Sequence, residues 1–254
     1  DGKTAFVFGG AGLIGKYVSS AFAAAGAFTI ALDLEVEKID VVENIHPKYF
    51  DCADLNYLDE RFSQVVNEFD TPDVFINCAY PRTRDWKKSS FKEISFTSFR
   101  ENVDVHMNSS AWLARLAAES MVLGNRGGSV IQMGSIYGLL GQDLSVYRGT
   151  DMHENMAYAT IKGGLTNLTR QMASYYGQFN IRVNTLCPGG LEGHVAGDTR
   201  TQNEKFVKLY REKTPLKRLG RADEVASVAL FLATESSSYV NGSTIVVDGG
   251  WSAV

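Results

Sequence analysis

The chain has 254 residues, of which 44% are hydrophobic and 21% charged, and its formal net charge is -4. α/β folds of about this length form single domains, and the mild acidic balance gives no electrostatic ground for binding nucleic acid or an anionic membrane. Cys52, Cys78 and Cys187 form no CxxC pair and share no metal-ligand spacing with the four histidines. No metal is therefore expected, and the thiols read as reduced.

The start of the chain runs straight into the apolar stretch Thr4–Phe8 and then into glycines, with no small-residue cleavage site, which reads as a cytoplasmic protein. The most apolar stretch, Ala21–Leu32, contains a glycine and is too short to span a bilayer.

In chain order, short apolar runs predict strands at Ala5–Phe8, Phe28–Leu32, Val74–Asn77, Ser129–Met133, Arg182–Leu186 and Thr244–Val247. Their nearly continuous apolar character suits strands buried on both faces. A further strand region ends at Asp51-Cys52-Ala53-Asp54-Leu55. Helical patterns lie between them at Leu13–Ala25, Leu55–Phe69, Phe99–Leu123, Ala157–Tyr176 and Ala222–Ala233. This alternation predicts one doubly wound, Rossmann-type domain over residues 1–254: a parallel sheet with helices on both faces. The Gly-rich, polar segment after the Arg182–Leu186 strand, around 189–215, is expected to cover the substrate.

The first strand runs into Gly9-Gly10-Ala11-Gly12-Leu13-Ile14-Gly15, and a helix is expected to start near Gly12. Glycines permit the tight turn and a close backbone approach, and a helix N-terminus offers unpaired N–H groups to a pyrophosphate. Asp33 ends the second strand, with no Arg or Lys directly after it. An acid there accepts from both hydroxyls of an adenosine ribose and repels a 2′-phosphate, so the expected cofactor is NAD rather than NADP. Asp54 reads as the N-cap of the helix that follows and, with Leu55, as a contact for the adenine.

Tyr158 and Lys162 stand four apart on one predicted helix, which puts a phenol beside an ammonium on one face. A neighbouring positive charge favours phenolate, so Tyr158 can exchange a proton with an alcohol or carbonyl. Ser135 follows a predicted buried strand, at the end where parallel sheets bind ligands. It either bonds the reacting oxygen or caps its own loop.

Taken in order, Gly9–Gly15, Asp33, Asn77-Cys78-Ala79, Ser135, Tyr158 with Lys162, Pro188-Gly189 and Val246-Val247-Asp248-Gly249-Gly250 resemble the short-chain dehydrogenase/reductase family over the whole chain. The resemblance implies that Tyr158 is the acid/base, that Lys162 binds the nicotinamide ribose and lowers the tyrosine's pKa, and that Ser135 holds the substrate oxygen. It also implies that Asn77 and Ala79 line the adenosine side, that Pro188 and Gly189 lie near the nicotinamide, and that the chain forms a homotetramer or homodimer.

Four motifs depart from the family pattern. Gly12 resembles the longer epimerase-like relatives, and Leu13 stands where the short enzymes carry glycine. The family's Asn-Asn-Ala-Gly reads Asn77-Cys78-Ala79-Tyr80, its catalytic-helix Asn falls on His106, and a Thr expected after Pro188-Gly189 falls on Gly193. The stretch between Ser135 and Tyr158 is longer than usual. Together with Asn77–Arg82, it resembles a subgroup that modifies sugars for flagellin and nonulosonic acids.

Arg82, Arg84, Lys87, Lys88 and Arg148 then read as a docking surface for an anionic sugar, or as ordinary solvated loops. The expected function is an NAD-dependent oxidoreductase acting on a small sugar-like alcohol or ketone, with Ser135, Tyr158, Lys162 and His106 in the catalytic group. The alternatives are an acyl-chain or steroid ketone reductase and a non-catalytic NAD-binding module.

Overall fold

Seven strands lie side by side in the order β3-β2-β1-β4-β5-β6-β7, all paired in parallel. They are β1 (Thr4–Phe8), β2 (Phe28–Asp33), β3 (Ile45–Tyr49), β4 (Val74–Asn77), β5 (Gly128–Met133), β6 (Ile181–Pro188) and β7 (Thr244–Val247). The computed structural model describes residues 2–193 and 202–254.

The helices are α1 (Gly15–Ala24), α2 (Leu58–Phe69), α3 (Phe96–Asn102), α4 (Ser109–Gly124), α5 (Met156–Tyr176), α6 (Glu204–Lys213) and α7 (Ala222–Ala233). No described helix is long and apolar enough to cross a membrane.

Strand alternation divides the core between the two sheet faces. On β1, Phe6 and Phe8 point to one side, where Phe62, Phe75, Leu113 and Met172 pack on them under α2, α4 and α5. Ala5 and Val7 point to the other side, against Val18 and Phe22 of α1 and Val225 and Ala229 of α7. Phe6, Phe8, Val7 and Ile76 are completely buried. Each such side chain contributes about 1.5–3 kcal/mol relative to exposure.

Four predicted elements differ. β3 is an edge strand built from Ile45-His-Pro-Lys-Tyr49, so it stops short of the Asp51–Leu55 stretch where a strand was expected to end. Pro47 is tolerated there because an edge strand needs only one side of its ladder. The single helix expected over Phe99–Leu123 is instead α3 and α4 joined by a π-helical stretch, Val103–Asn108. An apolar pattern with a period near 3.6 does not show where one residue has been inserted into the turn. α1 and α2 also start later than expected, at Gly15 and Leu58, because the residues before them form tight turns.

Chain order reverses between β1 and β4, so a crevice opens beyond the carboxyl ends of these two central strands. Every residue expected in the site except Asp54, Leu55 and the covering segment follows or ends one of these inner strands, or lies on a helix packed beside them.

Candidate active site

The turn after β1 is folded as tightly as glycine allows. Gly9 has φ +76°, and a Cβ there would lie 2.5 Å from the backbone nitrogen of Ala79. A Cβ on Gly15 would lie 1.9 Å from the carbonyl oxygen of Gly9. Gly12 is different. Its amide donates to the Gly9 carbonyl at 3.0 Å, and a Cβ there would meet only that oxygen, at 3.2 Å.

Among the described residues, the N–H groups of Leu13, Ile14 and Gly15 find no acceptor. They are the orphan donors of the α1 N-terminus, and they fit a pyrophosphate.

Asp33 ends β2 with both carboxylate oxygens engaged. One accepts from Ala11 N–H at 3.0 Å and the other from Glu35 N–H at 3.1 Å. The carboxylate thus ties the glycine turn to β2, and each oxygen keeps a lone pair for a ribose hydroxyl. Lys16 is exposed and lies over the Tyr17 ring.

The expectation for Asp54 needs correction. Its carboxylate is paired with Arg61 at 2.7 Å and makes no cap bond, so it is not the cap of α2. Asp51 bonds the loop instead, through Ala53 N–H at 2.8 Å. Asp54 is thereby held by Arg61, one turn into α2, and Leu55 is exposed beside it.

Beyond β4, buried Asn77 accepts from Ala79 N–H at 3.0 Å, which fixes the loop that presents Tyr80. The carboxyl end of β5 leads to Ser135. Its hydroxyl caps its own loop by accepting from Tyr137 N–H at 3.2 Å, and it also reaches the Tyr158 hydroxyl. The loop-capping role expected for Ser135 is therefore present, and its hydroxyl stands beside that of Tyr158.

Tyr158 lies in the first turn of α5, and Lys162 one turn later reaches back to β5, donating to the Met133 carbonyl at 2.8 Å. The Lys162 ammonium is 5.7 Å from the centre of the Tyr158 ring. Burial lowers the Lys162 pKa to about 8. Burial also raises Tyr158 to about 12, and the Ser135 hydroxyl opposes that rise. The protein's own groups therefore keep Tyr158 protonated at neutral pH. The lowering expected from Lys162 does not appear in this arrangement.

His106 sits in the π-helical stretch, completely buried, with neither ring nitrogen paired among the described residues. Burial first, and then the Lys162 charge, hold its pKa well below the usual imidazole value, so the ring is neutral. It packs edge-on against Tyr80, centre to centre 5.0 Å, and Tyr80 in turn lies 5.9 Å from Tyr158 and 5.7 Å from Trp86. π-Turns of this kind are frequent at functional sites.

Sequence reasoning passed over Asn155, Gln142 and Trp86. Asn155 caps α5 by accepting from Tyr158 N–H at 2.8 Å, and its amide reaches the Trp86 carbonyl at 3.5 Å. Gln142 bonds the Asn155 backbone in both directions. The signal was present: an Asn directly before the first turn of a helix is a capping pattern.

At the far rim, Pro188 ends β6 and Gly189 donates to the Val247 carbonyl at 2.9 Å. Gly193 has φ +92° and lies against Leu13, which joins the two loops. The expected covering segment is described only in part: residues 194–201 lie outside the described residues, and α6 follows from Glu204. Arg82, Arg84, Lys87, Lys88 and Arg148 are all exposed. No group of three or more potential metal ligands occurs among the described residues.

Relatives carry the same architecture. The family model described as "Enoyl-(Acyl carrier protein) reductase" matches residues 10–252. The chain is 27% identical to the post-translational flagellin modification protein A of Campylobacter coli, over 99% of this chain and 98% of that one. It is 30% identical to a 3-oxoacyl-(acyl-carrier-protein) reductase of Thermotoga maritima, over 98% of each. Among solved structures, a short-chain dehydrogenase of Leptospira borgpetersenii with bound NAD+ superposes with a TM-score of 0.87 at 27% identity, covering 99% of this chain and 93% of that one. With the glycine cradle, Ser135, Tyr158 and Lys162 gathered at the switch point of a parallel sheet, this chain belongs to the short-chain dehydrogenase/reductase family.

Proposed function

We propose that the chain is an NAD-dependent oxidoreductase that interconverts a hydroxyl and a ketone on an anionic sugar derivative. The observation that carries this reading is the convergence of Ser135 and Tyr158, with Lys162 beneath them, beside a glycine turn backed by Asp33.

The free amides of Leu13, Ile14 and Gly15, the Asp33 carboxylate and the Lys162 ammonium would hold the dinucleotide, with Asn77, Ala79, Pro188 and Gly189 lining its path. Bound there, it supplies the partner in hydride exchange. Ser135 orients the substrate oxygen. Tyr158 donates a proton to that oxygen in reduction and takes it back in oxidation. His106 supports Tyr80 from below and acts as a positioning residue.

The exposed cations Arg82, Arg84, Lys87 and Lys88 favour an anionic substrate, and the similarity to a flagellin-modification protein keeps the sugar reading first. The Thermotoga relative favours a second reading, an acyl-chain ketone reductase. Incubation with NAD and a panel of sugar alcohols and sugar phosphates, followed by absorbance of the reduced cofactor, tests the first. Turnover of acyl ketones with no response to any sugar would establish the second.

The proposed assembly is a homotetramer or homodimer packed through α4 and α5, whose Trp112, Leu123 and Tyr175 are exposed in the single chain. Light scattering at micromolar concentration tests it, and a monomer mass would refute it.

A further inference from the structure

Tyr80 occupies the centre of the site. Its ring touches Tyr158, Trp86 and His106, with the Lys162 ammonium 5.9 Å and the Arg82 guanidinium 5.8 Å from its centre. The backbone that carries it cannot drift: Asn77 holds Ala79, and Gly9 approaches the same residue so closely that no side chain fits between. Gln142, Asn155 and the Trp86 carbonyl join the other wall to the start of α5. Tyr80 is therefore held against Tyr158 from both sides.

The Trp86 indole packs edge-on against the Tyr80 ring, 5.7 Å between centres. Burial keeps the Tyr80 phenolic O–H protonated far above neutral pH. Tyr80 is then a permanent donor beside Tyr158, whose proton is exchanged. Two phenols with ring centres 5.9 Å apart span neighbouring oxygens when each reaches about 2.7 Å to its partner.

We propose that Tyr80 is a second substrate-binding phenol, donating to the hydroxyl next to the carbon that is oxidised, and that it makes the enzyme selective for vicinal diols. A substrate with an isolated oxygen would leave the Tyr80 donor unpaired in a largely desolvated site, and such a site rejects analogues that lack the hydroxyl. The inference rests on the reading of Tyr158 as acid/base, and it narrows the substrate class within that reading.

The test uses the NAD-loaded protein with cis- and trans-1,2-cyclohexanediol and cyclohexanol, followed by calorimetry and by formation of reduced cofactor. One diol isomer should bind about tenfold more tightly than cyclohexanol, the scale of one net hydrogen bond. In Tyr80→Phe, which keeps the ring, that ratio should fall to within about twofold. Equal affinities in the wild type, no binding of either alcohol, or a diol preference that survives in Tyr80→Phe would each overturn the proposal. NAD binding and the loss of turnover in Tyr158→Phe are measured alongside. If both hold and the diol preference is missing, only the role of Tyr80 falls; if NAD does not bind, the oxidoreductase reading falls with it.

Discussion

The side-chain oxygen of Asn155 accepts from the backbone N–H of Tyr158 at 2.8 Å, so the residue that starts α5 also fixes the acid/base three positions later. The same amide holds the Trp86 loop, and Gln142 holds the Asn155 backbone. Asn155→Ala should cost about 1 kcal/mol of stability through the lost cap. It should also lower kcat more than it weakens NAD binding, because the first turn of α5 loses its anchor. Asn155→Asp, which restores a capping oxygen, should recover most of both. Thermal unfolding and steady-state kinetics of the two variants decide it. Equal kcat in all three proteins would show that the cap serves stability alone.

Tyr158→Phe keeps the ring that packs on Tyr80 and Trp86 and deletes only the exchangeable proton. Fold and NAD affinity should be retained, while turnover drops at least about 10²–10⁴-fold. Near wild-type turnover in this variant would remove Tyr158 from its role and direct attention to Tyr80 and His106.

The sequence made legible those parts of the site whose chemistry is written locally. A strand followed by closely spaced glycines, an acid at the end of the next strand, and Tyr and Lys one helical turn apart each carry their geometry in their spacing. Other parts arise from pairings distant along the chain or from changes of helical register, which periodicity does not report. Asp54 looked like a cap until Arg61, seven residues on, claimed it. His106 looked like a residue on an ordinary helix, yet it sits in a π-turn that buries both ring nitrogens. Tyr80 was legible as a departure from the family pattern, but its contact with Tyr158 crosses 78 positions and required the fold.

Asp33 has two tasks, and two substitutions separate them. Through its charge it should favour NAD over NADP by at least about tenfold, or about 1.4 kcal/mol. Through its bond to Ala11 N–H it holds the glycine turn. Asp33→Asn keeps an acceptor for that bond and removes the charge, so the NAD preference should shrink with little loss of stability. Asp33→Ala should lose both the preference and thermal stability. Calorimetric titrations with the two cofactors and unfolding curves supply the readouts. Equal or tighter NADP binding by the wild type would refute the assignment.

Lys162 gives a prediction in pH. Burial lowers its pKa from the model-compound 10.5 to about 8, so between these values the folded chain holds fewer protons on this group than the unfolded chain. Stability from this group therefore rises with pH across that window, at up to about 1.4 kcal/mol per pH unit. Below about pH 8 the full cost of burying the ammonium is present. Tyr158 opposes this at higher pH, because its raised value makes the folded chain hold more protons above about pH 10. Cys78, also raised by burial, adds to that opposition from about pH 9. The comparison is therefore made against Lys162→Met, which keeps Tyr158 and Cys78 and removes only the titrating ammonium. The unfolding free energy of the wild type minus that of Lys162→Met should climb between pH 8 and 10, measured by denaturant titration at each pH. A flat or falling difference would mean that Lys162 is not desolvated as its place beneath Tyr80 and Tyr158 requires. The same variant should bind NAD more weakly at neutral pH, since the ammonium assigned to the nicotinamide ribose is gone.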